Sequence, residues 1–121
     1  MRRSVIAAVD DMFFASKIRV TAEHLGVDVQ FARSAEMVIE AARESEPALV
    51  IIDLHSKRLD PFALAAELKA GAGLSKVRLI GFFSHVQTEL QRRAKEAGFD
   101  SVLPRSAFTK QLAEILRGSE E

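Results

Sequence analysis

Within 121 residues the chain passes five times through the same change of pattern, a short apolar segment followed by a longer amphipathic one. Val5 to Val9 is apolar throughout, as a strand buried on both faces would be. Met12 to Leu25 then carries Phe14, Ile18, Ala22 and Leu25 at helical spacing, and Gly26 stops it. Val27 to Ala32 alternates apolar and polar residues, the pattern of a half-exposed strand near an edge. Ser34 is the expected N-cap of a helix running to about Ser45, and Ala48 to Ile52 is the next buried strand. A polar loop, His55 to Leu59, leads to Asp60-Pro61, a cap followed by proline at the first helical position, which starts a helix through Ala70. Gly71 and Gly73 close it; Val77 to Phe83 reads as the fourth strand and Val86 to Ala97 as the fourth helix, ended by Gly98. Ser101 to Leu103 is a short fifth strand, and Ser106 to Arg117 a last helix with Phe108, Leu112, Ile115 and Leu116 as its apolar stripe.

Strict alternation of this kind implies a parallel sheet with helices on both faces, because every crossover brings the chain back in the same direction. For so short a chain the expected fold is a doubly wound, flavodoxin-like α/β domain with five strands in the order 2-1-3-4-5. Its ligand site would then lie where strands 1 and 3 run side by side. Residues 1–121 read as a single domain, with 118–121 as a frayed tail.

Composition narrows the partners. Seventeen basic and seventeen acidic residues cancel, so no net field favours nucleic acid or an anionic membrane as a direct partner. There is no cysteine, which excludes disulfides and thiolate chemistry. Met1-Arg2-Arg3 runs straight into a strand-like segment too short for a signal peptide or a membrane span, and a cytoplasmic protein is expected.

The polar residues that interrupt the apolar runs collect at one place. Asp10 and Asp11 follow the first strand, Asp53 the third, Ser84 the fourth and Arg105 the fifth. All five belong to the carboxyl edge of the sheet, around the switch point. Three carboxylates there repel one another unless a hard cation lies among them, and Mg²⁺, which takes oxygen ligands and bridges to phosphate, suits such a set. A hydroxyl and a fixed cation supply what phosphoryl oxygens need, and an aspartate can act as the nucleophile.

Each residue also has a plainer reading. One of Asp10 and Asp11 can cap the first helix, and Ser84 with Gln87 spells a Ser-x-x-Gln capping box. Arg105 alone would be a surface charge. His55 and His85 could join the aspartates in a transition-metal site. Asp53 is different, since the next helix starts at Asp60, too far away for capping. Phe82 and Phe83 read as core. Phe13 and Val20 fall off the first helix's apolar stripe, as either a docking patch or residues partly covered by loops.

Val9-Asp10-Asp11, Val50-Ile51-Ile52-Asp53-Leu54 and Ala97-Gly98-Phe99-Asp100-Ser101-Val102-Leu103-Pro104-Arg105 together resemble the receiver domain of response regulators in bacterial two-component signalling. The resemblance spans the whole chain. It implies that Asp53 accepts a phosphoryl group from a histidine kinase or histidine phosphotransfer protein. Asp10, Asp11, Asp53 and the backbone carbonyl of His55 would hold Mg²⁺, and Ser84 would be the switch hydroxyl. Arg105 would contact phosphate where the family has lysine. Such a domain catalyses only its own phosphotransfer and dephosphorylation. A stand-alone member signals by contact with an output protein, through the fourth helix, fifth strand and last helix. The chain departs from the family pattern at Arg105, at Ser106 in place of proline, at Val102 in place of an aromatic, at Lys57 in place of proline and at His85 in place of a small residue. A pseudo-receiver, binding partners constitutively without a phosphorylation cycle, is the alternative. A third reading is a small phosphatase with His55 as general acid.

Overall fold

The computed structural model describes residues 3–71, 74, 76–84 and 87–118. Five strands, β1 (Ser4–Ala8), β2 (Asp28–Phe31), β3 (Leu49–Asp53), β4 (Arg78–Phe83) and β5 (Ser101–Pro104), form one all-parallel sheet in the order β2-β1-β3-β4-β5. This is the doubly wound order expected from the alternating pattern. Among the described residues six helices cover it: α1 (Met12–Leu25), α2 (Ala35–Ser45), α3 (Pro61–Ala70), α4 (Thr88–Ala97), α5 (Arg105–Lys110) and α6 (Leu112–Arg117).

Because side chains alternate across a strand, each central strand feeds two cores. Ile6, Ala8, Val50, Ile52 and Leu79 pack on one face with Val38, Leu64, Leu68 and Ala94 from α2, α3 and α4. Val5, Ala7, Leu49, Ile51 and Ile80 pack on the other with Phe14 and Ile18 of α1 and Phe108 and Ile115 of α5 and α6. No residue buried among those described is polar or charged. At the carboxyl end of the second core, Phe82 stacks on Phe108 with centroids 5.1 Å apart and meets Phe14 at 4.9 Å. Phe83 is buried as well, and both phenylalanines are core, as the sequence implied.

Several boundaries differ from the sequence pattern for local reasons. Val27 is not in β2, because its N–H closes the end of α1 on the carbonyl of Ala22 at 2.9 Å, behind Gly26 in the left-handed region at φ 70°. Asp53 is the last residue of β3 rather than the first of the loop. The capping box at Ser84 and Gln87 does not form: α4 begins at Thr88, so Gln87 occupies the cap position itself, with no side-chain hydrogen bond. The last helix starts at Arg105 and is interrupted at Gln111, whose φ of −98° and ψ of 6° leave the helical region. Its N–H still bonds to the carbonyl of Ala107 and its carbonyl accepts from the N–H of Ile115, so the hydrogen-bond ladder runs on through the interruption. Gly73, expected to close α3, and the tail Ser119 to Glu121 lie outside the described residues.

Phe82→Ala removes the ring at the centre of the aromatic trio and is expected to lower unfolding free energy by about 3–5 kcal/mol. Urea denaturation followed by circular dichroism checks it, and an unchanged midpoint would contradict the packing described.

Candidate functional site

The site is built where the strands stop being buried. Asp10 and Asp11 follow β1, Asp53 ends β3, Ser84 follows β4, and Arg105 opens α5 directly after β5. Asp53 pairs in register with Phe82 of β4, so the acceptor candidate stands at the edge of the sheet with the aromatic trio at its neighbour.

Asp11 is the N-cap of α1. Its Oδ1 accepts from the N–H groups of Phe13 at 2.8 Å and Phe14 at 3.2 Å. Its Oδ2 accepts from Nη2 of Arg105 at 2.8 Å. Arg105 in turn lies over the ring of Phe14, 4.4 Å from its centroid. The Arg105 hydrogen bond, followed by that from the Phe14 N–H, holds the Asp11 carboxyl below its ordinary range. Asp11 is thus the helix cap that sequence spacing allowed for one of the two aspartates, and it is also the ion-pair partner of Arg105, which spacing did not reveal.

Asp10 faces the loop between β3 and α3. Ser56 Oγ donates to its Oδ1 at 2.9 Å and the Lys57 N–H to its Oδ2 at 2.8 Å. Ser56 Oγ also accepts from the Arg58 N–H at 3.2 Å, and the Ser56 N–H bonds the Asp53 carbonyl at 3.1 Å. The loop is therefore wound around its own hydroxyl and tied back to β1. Ser56 and the Lys57 backbone were not legible as site residues, because their partner is 46 and 47 positions away. Lys57, noted as a departure from proline, has a use here that proline could not serve: it supplies the N–H.

Asp53 Oδ1 accepts from the N–H of His55 at 2.8 Å. Among the described residues its Oδ2 accepts no hydrogen bond. Burial raises the Asp53 carboxyl above its ordinary pKa; the His55 N–H opposes this, and the nearby charge of Asp10 adds to it. Ser84 is exposed at the end of β4. His85, and with it any His55–His85 metal pair, lies outside the described residues.

The donors expected to hold Mg²⁺, namely Asp10, Asp11, Asp53 and the His55 carbonyl, are oxygens of the right chemistry. As arranged they do not fit the ion. Among the described residues no three acidic or histidine side chains are placed to hold a metal. The physical reason lies in the bonds above: both oxygens of Asp10 serve the loop, and those of Asp11 serve the helix cap and the guanidinium.

Comparison with known proteins identifies the class of fold as that of response-regulator receiver domains. The phosphorylated cyanobacterial phytochrome response regulator RcpA superposes with a TM-score of 0.82 at 18% identity, over 100% of this chain and 93% of its own. The chemotaxis response regulator CheY4 of Vibrio cholerae gives 0.84 at 14% identity, over 98% and 99%. The Mn(2+)-bound form of response regulator Rcp1 gives 0.76 at 16% identity, over 98% and 91%. No family profile and no curated protein sequence matches the chain. At these identities the likeness establishes the fold.

The raised pKa of Asp53 makes a signed prediction. A carboxyl whose folded pKa lies above its unfolded value near 3.8 binds more protons when folded, so stability falls as pH rises through the window above that value. At neutral pH the ionised group is a net cost. Asp53→Asn is expected to raise the thermal midpoint at neutral pH and to lose the gain below the carboxylate range. A midpoint lowered by Asp53→Asn at neutral pH would contradict the desolvated site.

Proposed function

We propose that the chain is a receiver that takes a phosphoryl group on Asp53 from a phosphohistidine of a histidine kinase or phosphotransfer protein. The observation that carries this reading is Asp53 itself. It is a carboxylate at the carboxyl end of the central strand β3, with one oxygen oriented by the His55 N–H and the other accepting no hydrogen bond among the described residues. In the transfer, that second oxygen forms the bond to phosphorus while the phosphorus–nitrogen bond of the donor breaks, and the departing imidazole recovers its proton. Arg105 and the Ser84 hydroxyl are the groups proposed to meet the phosphoryl oxygens, as cation and donor. Mg²⁺ would add charge neutralisation when bound, and the oxygens of Asp10, Asp11 and Asp53 and the carbonyl of His55 are its proposed ligands, once released from their present bonds. The chemistry stays with the protein's own phosphorylation and dephosphorylation.

The phosphorylated state would be read by an output protein on the surface of α4, β5 and α5. Val102, partly buried against the core shared with α4, fills the position the resemblance assigns to an aromatic, so the response is expected to be smaller than one routed through a ring. Among the described residues no helix is long and apolar enough to cross a membrane. With a balanced charge this supports a cytoplasmic protein whose partners are proteins rather than nucleic acid or lipid.

One observation favours the second reading, a pseudo-receiver that binds partners without cycling phosphate. The Arg105–Asp11 ion pair and the two bonds to Asp10 already neutralise or occupy two of the three carboxylates.

Intact mass after incubation with a small acyl phosphate and Mg²⁺ separates the two. The receiver reading expects one phosphoryl adduct on wild type, none on Asp53→Ala, and a reduced yield on Arg105→Ala. An unmodified wild type, folded and exposed to the donor under conditions that modify a known receiver, would leave the pseudo-receiver.

A further inference from the structure

Two hollows lie along the edge strand β2, between it and α1, and the chemistry of Asp53 uses neither. One, of about 140 Å³, is lined by Val9, Asp10, Met12, Ala15, Arg33 and Arg58. The other, of about 320 Å³, is lined by Ala22, Glu23, Val27, Asp28 and Val29. Arg19 and Phe31 line both, with the guanidinium over the ring at 5.4 Å from its centroid. That stack stands between them.

The two ends differ in charge. At the smaller, Arg19 comes from α1, Arg33 from the turn after β2 and Arg58 from the loop after β3. Among the described residues none of these three arginines is in an ion pair. The carboxylate beside them is Asp10, whose oxygens already take the Ser56 Oγ and Lys57 N–H bonds. Acidic and basic residues balance over the whole chain, so this is a local concentration of positive charge. At the larger end the additional charged groups are Glu23 and Asp28, set beside apolar walls.

Each part selects a chemistry. Guanidinium forks match phosphate oxygens. The apolar walls and the Phe31 ring suit a planar heterocycle, and the two carboxylates can accept from its N–H donors. Arg19 is also the least closely seated of the arginines on rings, since Arg93 lies 4.2 Å from Phe62 and Arg105 4.4 Å from Phe14. It is the one that can make way. A molecule with phosphates at one end and a flat ring edged with donors at the other is a nucleotide.

We propose that the two hollows form one binding site for a nucleoside diphosphate, joined when Arg19 leaves Phe31. Arg33, Arg58 and the displaced Arg19 take the phosphates. Phe31 and Val29 take the face of the base, and Glu23 and Asp28 accept from its edge. Arg58 belongs to the loop that closes on Asp10, so the occupied site reaches the acidic edge by its own route. This small-molecule input is separate from phosphotransfer and does not depend on Asp53 as acceptor.

The test titrates ADP into the whole chain without divalent ions, followed by amide chemical shifts, with inorganic pyrophosphate and adenosine titrated separately. The largest shifts are expected at residues 19, 28–33 and 58, and ADP should bind more tightly than either of its parts. Arg33→Gln with Arg58→Gln, both exposed positions, is expected to weaken ADP at least about tenfold through lost charge-assisted hydrogen bonds. Arg43→Gln with Arg117→Gln removes the same charge from exposed positions elsewhere and should leave the affinity unchanged. Phe31→Leu keeps every charge and is expected to weaken ADP while sparing pyrophosphate. Absence of shifts at these residues, or an equal loss in the Arg43 and Arg117 control, would overturn the proposal. Pyrophosphate binding as tightly as ADP would overturn it too, since the hollow would then be a site for bare anions.

Discussion

A parallel sheet covered on both faces leaves charged side chains only one place to go. Every residue of β3 before Asp53 is buried, and β1 is buried from Val5 to Ala8, so no carboxylate could be carried along these strands. Polar chemistry is thereby forced to the strand ends. Because all five strands run in the same direction, the five carboxyl ends share one edge. The order β2-β1-β3-β4-β5 then brings β1 and β3 together at the centre, which is why Asp10, Asp11 and Asp53 become neighbours although more than forty residues separate them.

The same constraint explains what was legible before the structure. The apolar runs end in Asp10 and Asp53 because burial ends there, so the strands and the acidic edge could be read together. The Asp60-Pro61 start of α3 was readable for a different reason: a cap and a fixed φ are local devices, and Asp60 accepts from the N–H groups of Phe62 and Ala63 as that pair of residues implies. The Ser84–Gln87 box shows the limit of such motifs. Its residues are present in the right spacing, yet the helix begins after them, since a cap works only where tertiary packing lets the first turn begin.

What stayed hidden is nonlocal. Nothing in the polar loop says that Ser56 and the Lys57 N–H close on Asp10, or that Arg105 reaches across 94 residues to the cap of α1. Spacing gave Arg105 the role of phosphate contact through the resemblance. The structure adds the partner that holds it meanwhile and the ring that supports it. Phe14, legible only as an apolar stripe residue, is therefore the bridge between core and site: its ring belongs to the aromatic trio and also carries the guanidinium. Departures from the receiver pattern that look like losses in sequence, Lys57 and Arg105, are each used in this arrangement.

The central claim is that Asp53 takes the phosphoryl group and that Arg105 meets its oxygens. The direct measurement is NMR of the Arg105 side-chain nitrogens and the Asp11 carboxyl carbon, before and after a phosphoryl group or its beryllofluoride mimic is placed on Asp53. The account predicts that both sets of signals shift together and that the Asp11 carboxyl returns toward its ordinary titration range as its guanidinium partner leaves. Modification of Asp53 with the Arg105 and Asp11 signals unmoved would contradict it.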